Sequence, residues 1–203
     1  METQISQEDL EQITAGIRQK YSRVADSPEG QFKYPTGRAG LEALKYDTTL
    51  TAKLPDEVAA SYCGVGNPFS LGAVRRGDAV LDIGCGAGVD TILAAMMTGP
   101  DGKIVGVDIV PEMLQRAEAN LKRMDLQHVT FQAATGEHLP FPDGHFDVVI
   151  SNGVINLIPD KDAAMREILR VLKAGGRLMI ADQVKSAGGT PKSLKDRLSS
   201  WFQ

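Results

Sequence analysis

From Asp78 onward, short runs rich in Val, Ile and Leu alternate with helical patterns, and this alternation limits the fold most tightly. Ala79–Ile83, Lys103–Val107, Val129–Ala133, Phe146–Ser151 and Arg177–Ala181 read as strands. Val89–Thr98, Pro111–Met124 and Asp162–Leu172 read as helices between them, the second with proline at its first position. Strands separated by helices of this length pair in parallel through right-handed crossovers, which predicts a doubly wound α/β sheet. Ligands of such sheets bind beyond the carboxyl ends of the strands, where strand order reverses.

The first third reads differently. Leu10, Ile13, Ile17 and Tyr21 form an apolar stripe on a helix predicted over Gln7–Ser22, with Ser6 as cap and Asp9 in capping-box register. That helix either lies on the core or acts as a lid. Residues 31–53 read as loop with short helical turns, and Pro55 opens a helix to about Tyr62. Gly64-Val65-Gly66-Asn67-Pro68 then breaks the chain.

Hydrophobic residues make up 42% of the 203 and charged residues 24%, a globular balance. With 22 Lys and Arg against 26 Asp and Glu the net charge is -4, and no dense basic run exists, which argues against a nucleic-acid partner. The longest apolar stretch, Ile92–Met97, is far short of the roughly 20 residues of a bilayer span. The start is polar and acidic, unlike a secretory signal, and the two cysteines, Cys63 and Cys85, are too few for a disulfide framework. A cytoplasmic location, no membrane association and a reduced state are the expectations. His128, His138 and His145 show no metal-ligand spacing, so no metal site is expected.

The segment Val80-Leu81-Asp82-Ile83-Gly84-Cys85-Gly86-Ala87-Gly88 is a buried strand running into a glycine loop that opens a helix. Asp108 ends the next strand, 20 residues beyond Gly88, where an acidic side chain accepts hydrogen bonds from ribose hydroxyls. The ligand is therefore expected to be a nucleoside, a bare tight turn being the alternative. Dinucleotide loops read G-x-G-x-x-G, whereas this one reads Gly84-x-Gly86-x-Gly88 with Asp82 in front. A carboxylate there repels a pyrophosphate and suits an ammonium. S-adenosylmethionine carries both an ammonium and a ribose, and is preferred to a nicotinamide dinucleotide.

These motifs resemble the first two of the class I S-adenosylmethionine-dependent methyltransferases. Ser151-Asn152-Gly153-Val154-Ile155-Asn156-Leu157-Ile158-Pro159-Asp160-Lys161, Leu169–Gly176 and Tyr62–Pro68 resemble segments of the arsenite methyltransferase family. The resemblance covers residues 54–203 and implies a Rossmann-like, mostly parallel sheet in order 3-2-1-4-5. It implies that Asp82, Gly84, Cys85, Gly86 and Gly88 line the methionine end of the cofactor and that Asp108 binds the ribose. Ile109 and Met113 would pack near the adenine, Met113 being equally readable as helix core. Thr135, Gly136 and Glu137 would line the adenine, although many relatives carry aspartate at 135. Asn152 would stand beside the sulfonium, at the mouth of the pocket for a small-molecule methyl acceptor. No catalytic residue is assigned.

The departures bear on the acceptor. Arsenite methyltransferases hold trivalent arsenic on cysteine thiolates, soft ligands for a soft centre. Val65 and Gly153 stand at two of those cysteine positions; Cys63, two residues from the first, substitutes only if the loop is rearranged. The third falls immediately after Gln203. One domain is expected: a helical cap over 1–69, a cofactor-binding core over 70–185 and a helix over 186–203 carrying Leu194, Leu198 and Trp201, without the usual C-terminal hairpin. The apolar ending predicts a reading frame that continues, a UGA codon read as selenocysteine being one concrete cause. The leading reading is a methyltransferase with an undetermined acceptor; the alternative is a catalytically silent cofactor-binding protein that acts through a partner. Oligomeric state is not legible.

Overall fold

Five parallel strands in the order β3-β2-β1-β4-β5 form the centre of the computed structural model, which describes residues 7–184. The chain runs α1 (Gln7–Asp26), α2 (Gly37–Ala43), α3 (Thr48–Thr51), α4 (Asp56–Ala60), β1 (Ala79–Ile83), α5 (Val89–Thr98), β2 (Lys103–Asp108), α6 (Pro111–Leu121), β3 (Val129–Ala133), β4 (Phe146–Asn152), α7 (Lys161–Val171) and β5 (Leu172–Ala181). Val80, Leu81, Ile83, Val148, Val149 and Ile150 are fully or almost fully buried, because helices cover both faces of the central strands. One apolar layer joins Val80, Val148 and Ile150 to Ala94 and Ala95 of α5. The opposite layer joins Leu81, Ile83 and Val149 to Ile168 and Val171 of α7.

The expected alternation is present, with local differences. The second helix stops at Leu121, and Lys122–Met124 form a turn. The last strand begins at Leu172 rather than Arg177: Leu172 pairs with Phe146, the register shifts, and pairing resumes at Arg177 opposite Val148. Lys173–Gly176 form the irregularity, at the entrance of β5. Segment 31–53 holds two short helices, α2 and α3. The Ser6 and Asp9 cap, the helix over 186–203 and the reading frame beyond Gln203 lie outside the described residues.

β1 has β2 on one side and β4 on the other, so the order reverses between β1 and β4. A crevice opens at that switch point, outside their carboxyl ends. The N-terminal helices build its far wall. Ile13, Ile17, Val24 and Ala25 of α1 are buried, and α1 lies against α6. Leu41, Tyr46, Leu54, Val58, Ala59 and Tyr62 form a core of their own with Val89, Ile92 and Leu93 of α5. The cap is thus packed on the sheet domain.

Candidate functional site: a cofactor cavity at the switch point

Gly84 turns the chain sharply out of β1 with φ +68°, and a Cβ there would stand 2.2 Å from Val154. The amides of Gly84 and Cys85 both donate to the Val107 carbonyl, at 2.8 and 3.0 Å, which anchors the loop to β2. Asp108 completes the anchoring: Oδ2 accepts from the Gly86 amide at 2.8 Å and Oδ1 from the Val110 amide at 2.9 Å. Each oxygen keeps a further lone pair, so the carboxylate that shapes the loop can also receive ribose hydroxyls.

A cavity of about 300 Å³ fills this space. Asp82, Gly84, Cys85, Gly86, Asp108, Ile109, Met113, Thr135, Gly136, Glu137 and Asn152 all line it. Gly88 does not. It turns the loop into α5, and a Cβ on it would press on Phe131, 2.8 Å away, behind the cavity. Met113 is 1% exposed among Val24, Ala87 and Val110 and also lines the wall. The Cys85 thiol is buried, and burial pushes its pKa well up.

Asp82 lies in β1, just before the loop, and its Oδ2 accepts from the Thr91 hydroxyl at 2.6 Å. The side chain of Asn152 is largely engaged with the cap. Its oxygen accepts from the amides of Val65 and Gly66, at 2.9 and 3.1 Å, and its nitrogen donates to the Gly66 carbonyl at 2.8 Å and to Asp90 Oδ2 at 2.9 Å. Asn152 therefore clamps the Tyr62–Pro68 loop over the end of β4.

Other wall residues escaped the sequence reading. Thr14, Ile17, Arg18 and Tyr21 of α1, Tyr34, Tyr62, Cys63 and Asp90 complete the enclosure. Asp90 had a visible signal, a lone acid near the start of an otherwise apolar helix, Val89–Thr98. The α1 contribution had none.

The electrostatics are one-sided. Burial pushes Asp82 from the ordinary 3.8 up to about 8, with nearby Asp90 adding to it and the Thr91 hydrogen bond opposing. Burial likewise raises Asp90 to about 6, and raises Asp108 against its backbone hydrogen bonds. None of the hydrogen bonds described for these three carboxylates comes from a cationic side chain. Glu137 and Asp160 also line the cavity, where Arg18 is the only cation among the described lining residues. Such a wall favours a positively charged ligand with hydroxyl donors. A sulfonium carrying an ammonium and a ribose fits that requirement.

Fold and site together place the chain in a class: it belongs to the class I S-adenosylmethionine-dependent methyltransferases, and the family model described as a methyltransferase domain matches residues 75–203. S-adenosylmethionine is the cofactor of this class. The chain is similar to the arsenite methyltransferase of Halobacterium salinarum, 36% identical over 200 residues that cover 92% of this chain and 51% of the relative. It is also similar to the ubiquinone/menaquinone biosynthesis C-methyltransferase of Hahella chejuensis, 39% identical over 150 residues, covering 64% of this chain and 58% of the relative. The crystal structure of an arsenic(III) S-adenosylmethionine methyltransferase from Chlamydomonas reinhardtii superimposes with a TM-score of 0.61 at 36% identity, covering 66% of this chain and 47% of that one. The chain thus spans about half the length of the arsenite relatives.

Proposed function

We propose that this protein transfers a methyl group from S-adenosylmethionine to a small neutral acceptor, without holding arsenite on the thiolates of the arsenite family. The observation that carries the first part is the cluster of buried carboxylates around the Asp82–Gly88 loop, with no cationic partner among their described hydrogen bonds. In this reading Asp82 holds the ammonium and Asp108 the ribose hydroxyls. Ile109 and Met113, with Thr135–Glu137, border the adenine. The cofactor supplies a methyl group already activated by positive charge; the chain's contribution is to orient the partners and exclude water.

The second part rests on the loop clamped by Asn152. A Cβ built on Gly153 would lie 3.2 Å from both Cγ atoms of Val65, so these two positions face each other beside the cofactor wall. In the arsenite family, as the resemblance has it, both carry thiolates, and facing thiolates suit a soft centre. Here they present a methyl-lined, neutral surface. Cys63 lines the same region, but burial pushes its pKa up to about 12, away from the thiolate that a soft metalloid needs.

The test is an incubation with methyl-labelled S-adenosylmethionine and either arsenite with glutathione or a substituted hydroquinone. Labelled arsenicals are expected to stay near background. Val65→Cys combined with Gly153→Cys should raise arsenite binding at least about tenfold over Val65→Ala with Gly153→Ala, a control that carries the same strain at Gly153, where φ is +74°. Efficient arsenite methylation by the parent would contradict the proposal, and no gain in the double variant would undo the matching of these positions.

A further inference from the structure

Asp90 belongs to the carboxylate wall and also to a buried hydrogen-bonded cluster beside it. Asp90, in the first turn of α5, is 8% exposed and lines the cavity. The Tyr46 hydroxyl donates to Asp90 Oδ1 at 2.8 Å, and the Tyr62 hydroxyl donates to the Tyr46 hydroxyl at 3.0 Å. Tyr62 itself lines the cavity, so a chain of hydrogen bonds runs from the wall to the carboxylate. The Gly66 carbonyl lies 2.9 Å from the Tyr62 hydroxyl and 3.0 Å from that of Tyr46, an alternative acceptor towards which either hydroxyl can turn. Asn152 fixes the other carboxylate oxygen at 2.9 Å.

We propose that Asp90, reached through Tyr62 and Tyr46, takes the proton that a small neutral X–H acceptor, a thiol or a phenol-like hydroxyl, loses on methylation. This rests on the methyltransferase reading above and names its acceptor class. The acceptor's lone pair forms the new X–CH3 bond, and the pair of the broken sulfur–carbon bond stays on sulfur. The X–H proton passes to the Tyr62 oxygen as the Tyr62 proton moves to Tyr46 and the Tyr46 proton moves to Asp90 Oδ1. Charges and atoms balance without a further reactant. An anionic acceptor is disfavoured by the carboxylates of the wall, and Tyr34, Tyr62, Cys63 and Val65 offer an uncharged, largely apolar surface beside them.

The protonation states suit the role. Burial raises Asp90 to about 6, so it is ionised at neutral pH yet basic enough to accept a proton. Tyr46, Tyr62 and Cys63, which face it, are all pushed upward by burial and stay protonated through neutral pH. Asp82, raised to about 8, titrates in the same range but acts on the cofactor, so saturating cofactor isolates Asp90.

The experiment compares the parent with Asp90→Asn and Tyr46→Phe at saturating S-adenosylmethionine, and measures cofactor Kd by calorimetry. 2-Mercaptoethanol, an alkanethiol still protonated at neutral pH, is the probe with a proton to lose, and dimethyl selenide the probe without one. The calorimetric Kd sets the saturating cofactor concentration for each variant. In Asp90→Asn, kcat for the thiol should fall about 100-fold and the acid limb of its pH profile should vanish. Transfer to dimethyl selenide at saturating cofactor should change by less than about threefold. Tyr46→Phe, which keeps the ring, should lose part of the thiol rate alone. Equal losses of kcat on both probes would make the cluster merely structural and overturn the proposal. So would a parent that binds cofactor but does not methylate the thiol. A parent that binds no cofactor overturns the underlying methyltransferase reading instead.

Discussion

Asp82 concentrates the physical tension of the site at the scale of one residue. Its pKa rises from 3.8 to about 8 because burial in β1 strips water from the carboxylate, and Asp90 and Asp108 shift in the same direction. A carboxyl whose folded pKa is raised binds more protons folded than unfolded, so its contribution is fully present below the unfolded pKa and lost as pH rises through the folded one. The cofactor-free protein should therefore melt at a higher temperature near about pH 5.5 than near about pH 8.5. Asp82→Asn should raise the melting temperature on the alkaline side while weakening S-adenosylmethionine binding; thermal scans across pH read the first effect and calorimetry the second. A flat pH profile in the parent would mean that Asp82 is solvated in solution. Gly86 supplies a second test. A Cβ there meets only Met113 Sδ within 4 Å, at 3.9 Å, so a side chain would project towards the cavity. With φ +51° any side chain is strained, which makes Gly86→Ala the control for Gly86→Leu. The two should melt alike while leucine weakens the cofactor much more, about 100-fold against less than about tenfold; equal affinities would place the cofactor elsewhere.

Among the elements, β1 and β3 lie at the expected bounds, and β2 and β4 extend one residue further, because apolar runs bounded by Gly, Asp and Pro leave little freedom of register. The start of β5 was not legible: Lys173-Ala174-Gly175-Gly176 has no alternation, and only the pairing of Leu172 with Phe146 makes that stretch part of the strand. The loop residues of the site followed from local chemistry, since a glycine turn and its acidic partner lie close in sequence. The cap's share did not. Asn152 meets Asp90 across 62 residues and the Tyr46 hydroxyl across 106, distances over which no local pattern signals contact. The helix α1 shows the same limit: its stripe announces burial, not the wall it lines. Ile13 is 1% exposed, so Ile13→Ala should cost about 2–5 kcal/mol. Because Leu10, Thr14, Ile17 and Tyr21 line the cavity, cofactor binding should slow amide hydrogen exchange along α1. Unchanged exchange there would show that α1 does not contact the bound cofactor.

For the molecule as a whole, the parallel sheet supplies the crevice, the N-terminal helices wall it, and buried carboxylates line it. Among the described residues no helix is long and apolar enough to cross a membrane. The central claim, that S-adenosylmethionine is held between the Asp82–Gly88 loop and Asp108, is tested most directly by titration calorimetry of the parent and Asp108→Ala. Asp108 joins the loop through Gly86 and, on the proposed reading, would offer its remaining lone pairs to the ribose, so one side chain reports on both. The parent should bind one equivalent. In Asp108→Ala the loss of charge-assisted hydrogen bonds, about 1.5–3 kcal/mol, should weaken binding roughly ten- to a hundredfold. An Asp108→Ala variant that binds S-adenosylmethionine as tightly as the parent would contradict the account.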